Sequence, residues 1–188
     1  MSWYELQGEW HEFFLLTGTA AVTLAGLLFV ALSIHIDALI DERREHLLAL
    51  AQGTLLSFIF VMTLSLVQLI PHESMRVTGV MLVVMGVVFF GFTLFRQRQR
   101  VVQDRHFSVA LLRRRQIVPL LLYALTAYVG VRLLRGDAQA LVMLVGAVIA
   151  LLASAANTSW DLLVRVARMR REPAAPQPAP TDHDEADA

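Results

Sequence analysis

The stretch FFLLTGTAAVTLAGLLFVALSIHI, residues 13–36, contains no Asp, Glu, Lys or Arg. A helix needs roughly 20 apolar residues to cross the hydrocarbon core of a bilayer, at about 1.5 Å each. This run is long enough by itself. Further runs follow at 47–70, 77–95, 117–134 and 138–160, and their one charged residue, Arg132, lies near the end of its run. Soluble core helices are rarely so long and so bare of charge. The sequence therefore predicts an all-α, integral membrane bundle of five transmembrane helices. A hydrophobic share of 56% and a mean hydropathy of +0.58 place the whole chain in the same class.

The five spans use up most of the 188 residues and leave no room for a separate soluble domain, so residues 1–171 read as a single transmembrane domain. There is no cysteine, which excludes disulfides, thiolate metal sites and a cysteine nucleophile. The opening MSWYELQGEWHE is acidic and lacks a basic leader region, so the first span is expected to be retained. The last stretch, 172–188, is Pro/Ala-rich and then acidic. It cannot bury enough apolar surface to order itself, and the expectation is a disordered tail.

All 16 basic residues are arginine, and they are unevenly placed. Loop 37–46, segment 96–116 and the region after 160 share one side of a five-span bundle. They hold Arg43, Arg44, Arg96, Arg98, Arg100, Arg105, Arg113, Arg114, Arg115, Arg165, Arg168, Arg170 and Arg171. The other side holds Arg76, Arg132 and Arg135. The positive-inside rule counts basic residues near span ends and discounts acids. It puts the N-terminus out and the C-terminus in, and it makes an anionic inner leaflet the expected partner of the basic face. Trp3, Tyr4 and Trp10 then fall at an outer aromatic belt and Trp160 at the inner boundary. Pro71 ends the second span, since proline cannot continue a helix, and Arg135-Gly136-Asp137 reads as a tight turn joining the last two spans. Segment 96–116, with Val101, Val102, Val109, Leu111 and Leu112 among arginines, is either an interfacial amphipathic helix or a continuation of the third span.

Polar and small residues inside the spans recur at four- and three-residue steps, alternating in the first span, which keeps them on one helix face. The first span has Thr19, Thr23, Gly26, Val30 and Ser33, leading to Asp37. The second has Thr54, Ser57, Val61, Ser65 and Gln68, leading to His72. The fifth has Gly146, Ala150, Ser154 and Asn157, leading to Asp161. Small residues let helix backbones approach, and hydroxyls and amides bond across helices, so packing is the simpler reading. The sharper reading is a face lining a water path. No acid or base stands at mid-membrane, which argues against proton-coupled transport.

Little else carries chemistry. His35 reads as an interfacial histidine with its tip in water rather than a relay. His11, Glu12, His72 and Glu73 share one side, but a metal needs convergent geometry and not shared sidedness. No phosphate-binding loop, nucleophile elbow, metalloprotease helix or dinucleotide fingerprint is present. No catalytic residue, cofactor, metal or nucleic-acid partner is therefore expected.

The segment FFLLTGTAAVTLAGLLFVALSIHIDALI at 13–40, with LVQLIPHES at 66–74, resembles a family of small, mostly uncharacterised bacterial polytopic membrane proteins. Its members show small residues, then A-L-T-G-L-L-F-V-A-L-S-I-N, an Arg-containing inner loop and a Leu-x-Pro ending of the second span. Here His35 stands where the family has Asn. Some members are labelled "modulator of FtsH protease". The resemblance implies a multi-pass protein of the bacterial inner membrane with a regulatory role, and no catalytic residue. Together these readings give a non-enzymatic membrane protein acting through contacts with a membrane-protein partner. The alternative is a small homo-oligomeric channel or transporter, because five spans in one copy enclose little.

Overall fold

The computed structural model describes residues 3–34, 45–70, 74–103 and 109–169. Among them the chain forms five helices and no strand: α1 Trp3–Ile34, α2 Glu45–Leu69, α3 Met75–Gln103, α4 Val109–Leu134 and α5 Ala140–Met169. Each contains a span long and apolar enough to cross a membrane: Gly8–Ile34, Ala49–Leu69, Met75–Gln99, Ile117–Leu134 and Ala140–Val164. Large apolar side chains also face outward on every helix. Leu16 is 71% exposed, and Phe29, Val87, Leu121, Val142 and Trp160 are exposed too. Water would not tolerate a girdle of this kind, whereas lipid tails match it. This is a multi-pass membrane protein.

Packing gives a neighbour order that differs from chain order. α1 packs chiefly on α2, α2 on α5, α5 on α4, and α4 most extensively on α3. α2 and α3 touch only sparingly. So α2 to α5 form a bundle, and α1 is an edge helix laid against α2.

Two apolar cores hold the bundle. The larger joins all five helices through Phe14, Phe60, Leu64, Leu82, Tyr123, Leu133 and Leu144. The smaller joins α1, α2 and α5 through Leu28, Phe58, Ala155 and Leu162, nearer the arginine-rich end.

The α4–α5 turn shows how the sequence sets a connection. Gly136 takes φ +91°, a left-handed conformation that glycine adopts without a Cβ penalty. The Asp137 N–H donates to the Arg132 carbonyl at 3.1 Å, and the Gly136 N–H to the Leu133 carbonyl at 3.0 Å. That pair of bonds is a Schellman motif, and it satisfies carbonyls left over at the end of α4. Asp137 then caps α5, its Oδ1 accepting from the Gln139 N–H at 3.1 Å. Its Oδ2 accepts from Arg132 Nε at 2.9 Å and also from Nη2. Ser74 starts α3 in the same way, its Oγ accepting from the Arg76 N–H at 3.3 Å.

Helix ends extend past the expected spans. α1 begins at Trp3, so Trp3 and Tyr4 are already helical. Residues 96–103 continue α3 and residues 109–116 open α4, so the described parts of segment 96–116 prolong the spans on either side of it. Loop 37–44, residues 71–73, residues 104–108 and the tail 172–188 lie outside the described residues, and with them His35, Asp37, His72 and Glu73.

Candidate functional site

The three polar stripes part company in three dimensions. On α1, Thr19, Thr23, Gly26, Val30 and Ser33 all face outward. Each hydroxyl donates to its own backbone: Thr19 to the Leu15 carbonyl at 2.8 Å, Thr23 to Thr19 at 2.9 Å and Ser33 to Phe29 at 2.9 Å. A Cβ added at Gly26 would meet nothing within 4 Å. Among the described residues this stripe looks away from the chain's own bundle. The opposite face of α1 does the packing. There Thr17 Oγ1 donates to the Phe13 carbonyl at 2.9 Å and lies 3.3 Å from Ser65 Oγ on α2. A Cβ at Gly18 would fall 2.8 Å from the Ser65 Cβ.

On α2 the stripe turns inward. Thr54, Ser57, Val61 and Ser65 are buried, and Gln68 is half-buried with an Oε1 that meets no donor among the described residues. On α5 the stripe divides: Gly146, Ala150 and Asn157 face outward, while Ser154 is half-buried against the bundle.

Thr54, Ser57 and Ser154 come together with Thr93 of α3, Pro119 and Tyr123 of α4, and Thr158 of α5 around a partly open cleft of about 50 Å³. Ser57 Oγ and Tyr123 Oη lie 3.3 Å apart. One turn further toward the α4–α5 turn three aromatic rings cluster. Phe60 stands 4.5 Å from Tyr123 and 5.0 Å from Phe89, centroid to centroid, and Phe89 5.9 Å from Tyr123.

At the arginine-rich end, Arg96 of α3 donates through Nη2 to Gln52 Oε1 of α2 and lies 5.5 Å from the Phe92 ring centroid. This contact bridges the sparsely packed α2–α3 pair. Arg98 is exposed. Arg100, Arg113, Arg114 and Arg115 lie on the helical extensions of α3 and α4. His11 and Glu12 are exposed on α1, and no group of three potential metal ligands occurs among the described residues.

Sequence reasoning missed the close approach of α3 to α4. A Cβ at Gly86 would sit 2.7 Å from Ala127 N and 2.8 Å from the Tyr123 carbonyl oxygen, and one at Gly130 would sit 2.7 Å from the Gly79 oxygen. Gly79 and Gly86 on α3 and Gly130 on α4 thus let two backbones touch. The seven-residue Gly79–Gly86 spacing was the available signal. Thr93, Thr158 and Tyr123 were missed as well; Thr158 stands four residues beyond Ser154 and shares its face, whereas Thr93 and Tyr123 belong to no polar stripe.

No known protein family, no characterised protein and no solved structure matches this chain.

Proposed function

We propose that this chain is a non-enzymatic, multi-pass protein of the bacterial inner membrane, with its N-terminus outside and its C-terminus inside. It acts by docking a membrane-spanning helix of a partner protein on α1. The carrying observation is that α1, the edge helix, turns its Thr19–Thr23–Gly26–Val30–Ser33 seam away from its own bundle. Lipid gives no reason to prefer small hydroxyl residues over leucine, whereas an approaching helix does. The alternating four- and three-residue steps match a left-handed pair crossing at about +20°. The resemblance of 13–40 makes a membrane-bound protease the first partner class to examine. The arginine asymmetry supports the orientation.

The cysteine-free chain supplies the test. Gly26→Cys and Thr23→Cys, expressed in the native membrane and treated with a short thiol–amine cross-linker, should trap a discrete partner band. Leu27→Cys, also exposed on α1 but beside the seam, should not. Equal trapping at all three positions, or at none, would refute α1 docking. A channel is the second reading, favoured by the hydroxyl cleft inside α2–α5.

A further inference from the structure

The lining of the cleft has its hydrogen-bond donors spoken for. Thr54 donates to the Leu50 carbonyl at 2.9 Å, Thr93 to Phe89 at 2.8 Å, and Thr158 to Ser154 at 2.8 Å. Ser57 donates to the Gly53 carbonyl at 3.2 Å, so the proton between Ser57 and Tyr123 comes from the tyrosine. Pro119 has no N–H, so it offers the cleft no backbone donor. What faces the cleft is therefore oxygen lone pairs. Among the described lining hydroxyls, Ser154 alone has its proton uncommitted.

An acceptor-rich cavity at membrane depth needs an occupant that brings hydrogens, because polar cavities of sufficient size hold water while dry ones are apolar. At about 50 Å³ the cleft has space for about three waters, taking about 15 Å³ for each. An anion would find almost no free donor. A cation would find no carboxylate in the lining, and the Arg96 guanidinium stands one turn from Thr93 toward the arginine-rich end. The depth is also set. Ser57 lies about 12 Å and Ser154 about 15 Å from the arginine-rich ends of their spans, at about 1.5 Å per residue. That is half of a core roughly 30 Å thick. Phe60, Phe89 and Tyr123 cluster there, and Leu64, Leu82 and Leu144 are fully buried in the same core.

We infer that the cleft among α2–α5 is a hydrated vestibule, entered from the arginine-rich end and stopped at mid-membrane by three aromatic rings. It takes water and small uncharged hydrogen-bond donors. The vestibule stands independently of the α1 docking reading and of the direction of insertion.

The test uses full-length protein in detergent, where both ends are accessible. Single cysteines react through the thiolate, which forms in water and not in a dry core. Ser57→Cys and Ser154→Cys should react with iodoacetamide within about tenfold of exposed Gln99→Cys, whereas Ser65→Cys, sealed between α1 and α2, should be at least about a hundredfold slower. Any variant that loses its monodisperse elution is replaced by Thr93→Cys, which lines the same cleft. A positively charged methanethiosulfonate should discriminate against Ser154→Cys more than a neutral one does, relative to Gln99→Cys. Protection of the cleft positions to the level of Ser65→Cys would mean that a lipid tail fills the space, and would overturn the vestibule. Equal rates for charged and neutral reagents would overturn its selectivity for uncharged solutes.

Discussion

Gly86→Ala should open the α3–α4 seam. The new methyl carbon would stand 2.7 Å from Ala127 N, 2.8 Å from the Tyr123 carbonyl oxygen and 2.9 Å from the Ala127 Cβ. Ordinary contact begins at 3.4 Å, so the helices must part by about 0.7 Å, the difference between 3.4 and 2.7. Two of the three obstacles are backbone and cannot rotate away. The same displacement loosens the Gly79–Gly130 contact, which is equally tight. Overpacking typically costs roughly 1–3 kcal/mol, and backbone obstacles put this site at the upper end. Alanine recovers about 1 kcal/mol of helix propensity, which leaves a net loss of about 1–2 kcal/mol. Gly26→Ala is the matched control, because its methyl meets open space and only the propensity gain applies. The two variants should therefore differ by about 2–3 kcal/mol. Reversible unfolding in mixed micelles, followed by helical circular dichroism, measures that difference. Equal stability of the two variants would refute the close approach of α3 to α4.

Gly136→Ala should cost about 1–2 kcal/mol in the same assay, since an L-residue is strained at φ +91°; a neutral result would remove the Schellman turn. Hydrogen bonding from Arg132 holds the Asp137 carboxyl below its ordinary value. Its contribution to stability is therefore complete above that ordinary value of 3.8 and is lost as the pH falls through the lower folded value. Wild type should lose more thermal stability than Asp137→Asn across this acidic window, and parallel pH curves would disprove the coupling. Alkaline phosphatase fused at Glu73 should be active and fused after Arg171 inactive; the reverse pattern would invert the orientation drawn from the arginines.

The spans were legible because charge is excluded from a bilayer core more strictly than anything else is required there. Five runs free of acids, with Arg132 near one end, return as five helices. The ends were harder to read. Residues 3–12 and 96–103 are polar enough to look like connections, yet the helix continues through them, since leaving the membrane does not stop backbone hydrogen bonding. The α4–α5 hairpin was legible because Gly136 and Asp137 are local devices whose chemistry acts within five residues.

Which face of a span looks inward was not legible, for a physical reason. A water-soluble helix marks its outer face with charge, but lipid is as apolar as a protein core, so the surroundings leave no such mark on a spanning helix. The α1 and α2 stripes share residue types and spacing, yet Thr19, Thr23 and Ser33 face outward while Thr54, Ser57 and Ser65 are buried. What separates them is contact. Gly18 and Thr17 give α1 a second small face, and Ser65 fits it, so α2 takes that face and leaves the longer seam uncovered. The seam hydroxyls each donate to a carbonyl of their own helix, so the face is satisfied as it stands and remains open to an approaching helix. The α2 stripe meets polar residues of three other helices instead, Thr93 of α3, Tyr123 of α4 and the Ser154–Thr158 pair of α5. A polar site drawn from four helices has no single period in the sequence, so its convergence could be found only after the helices were placed.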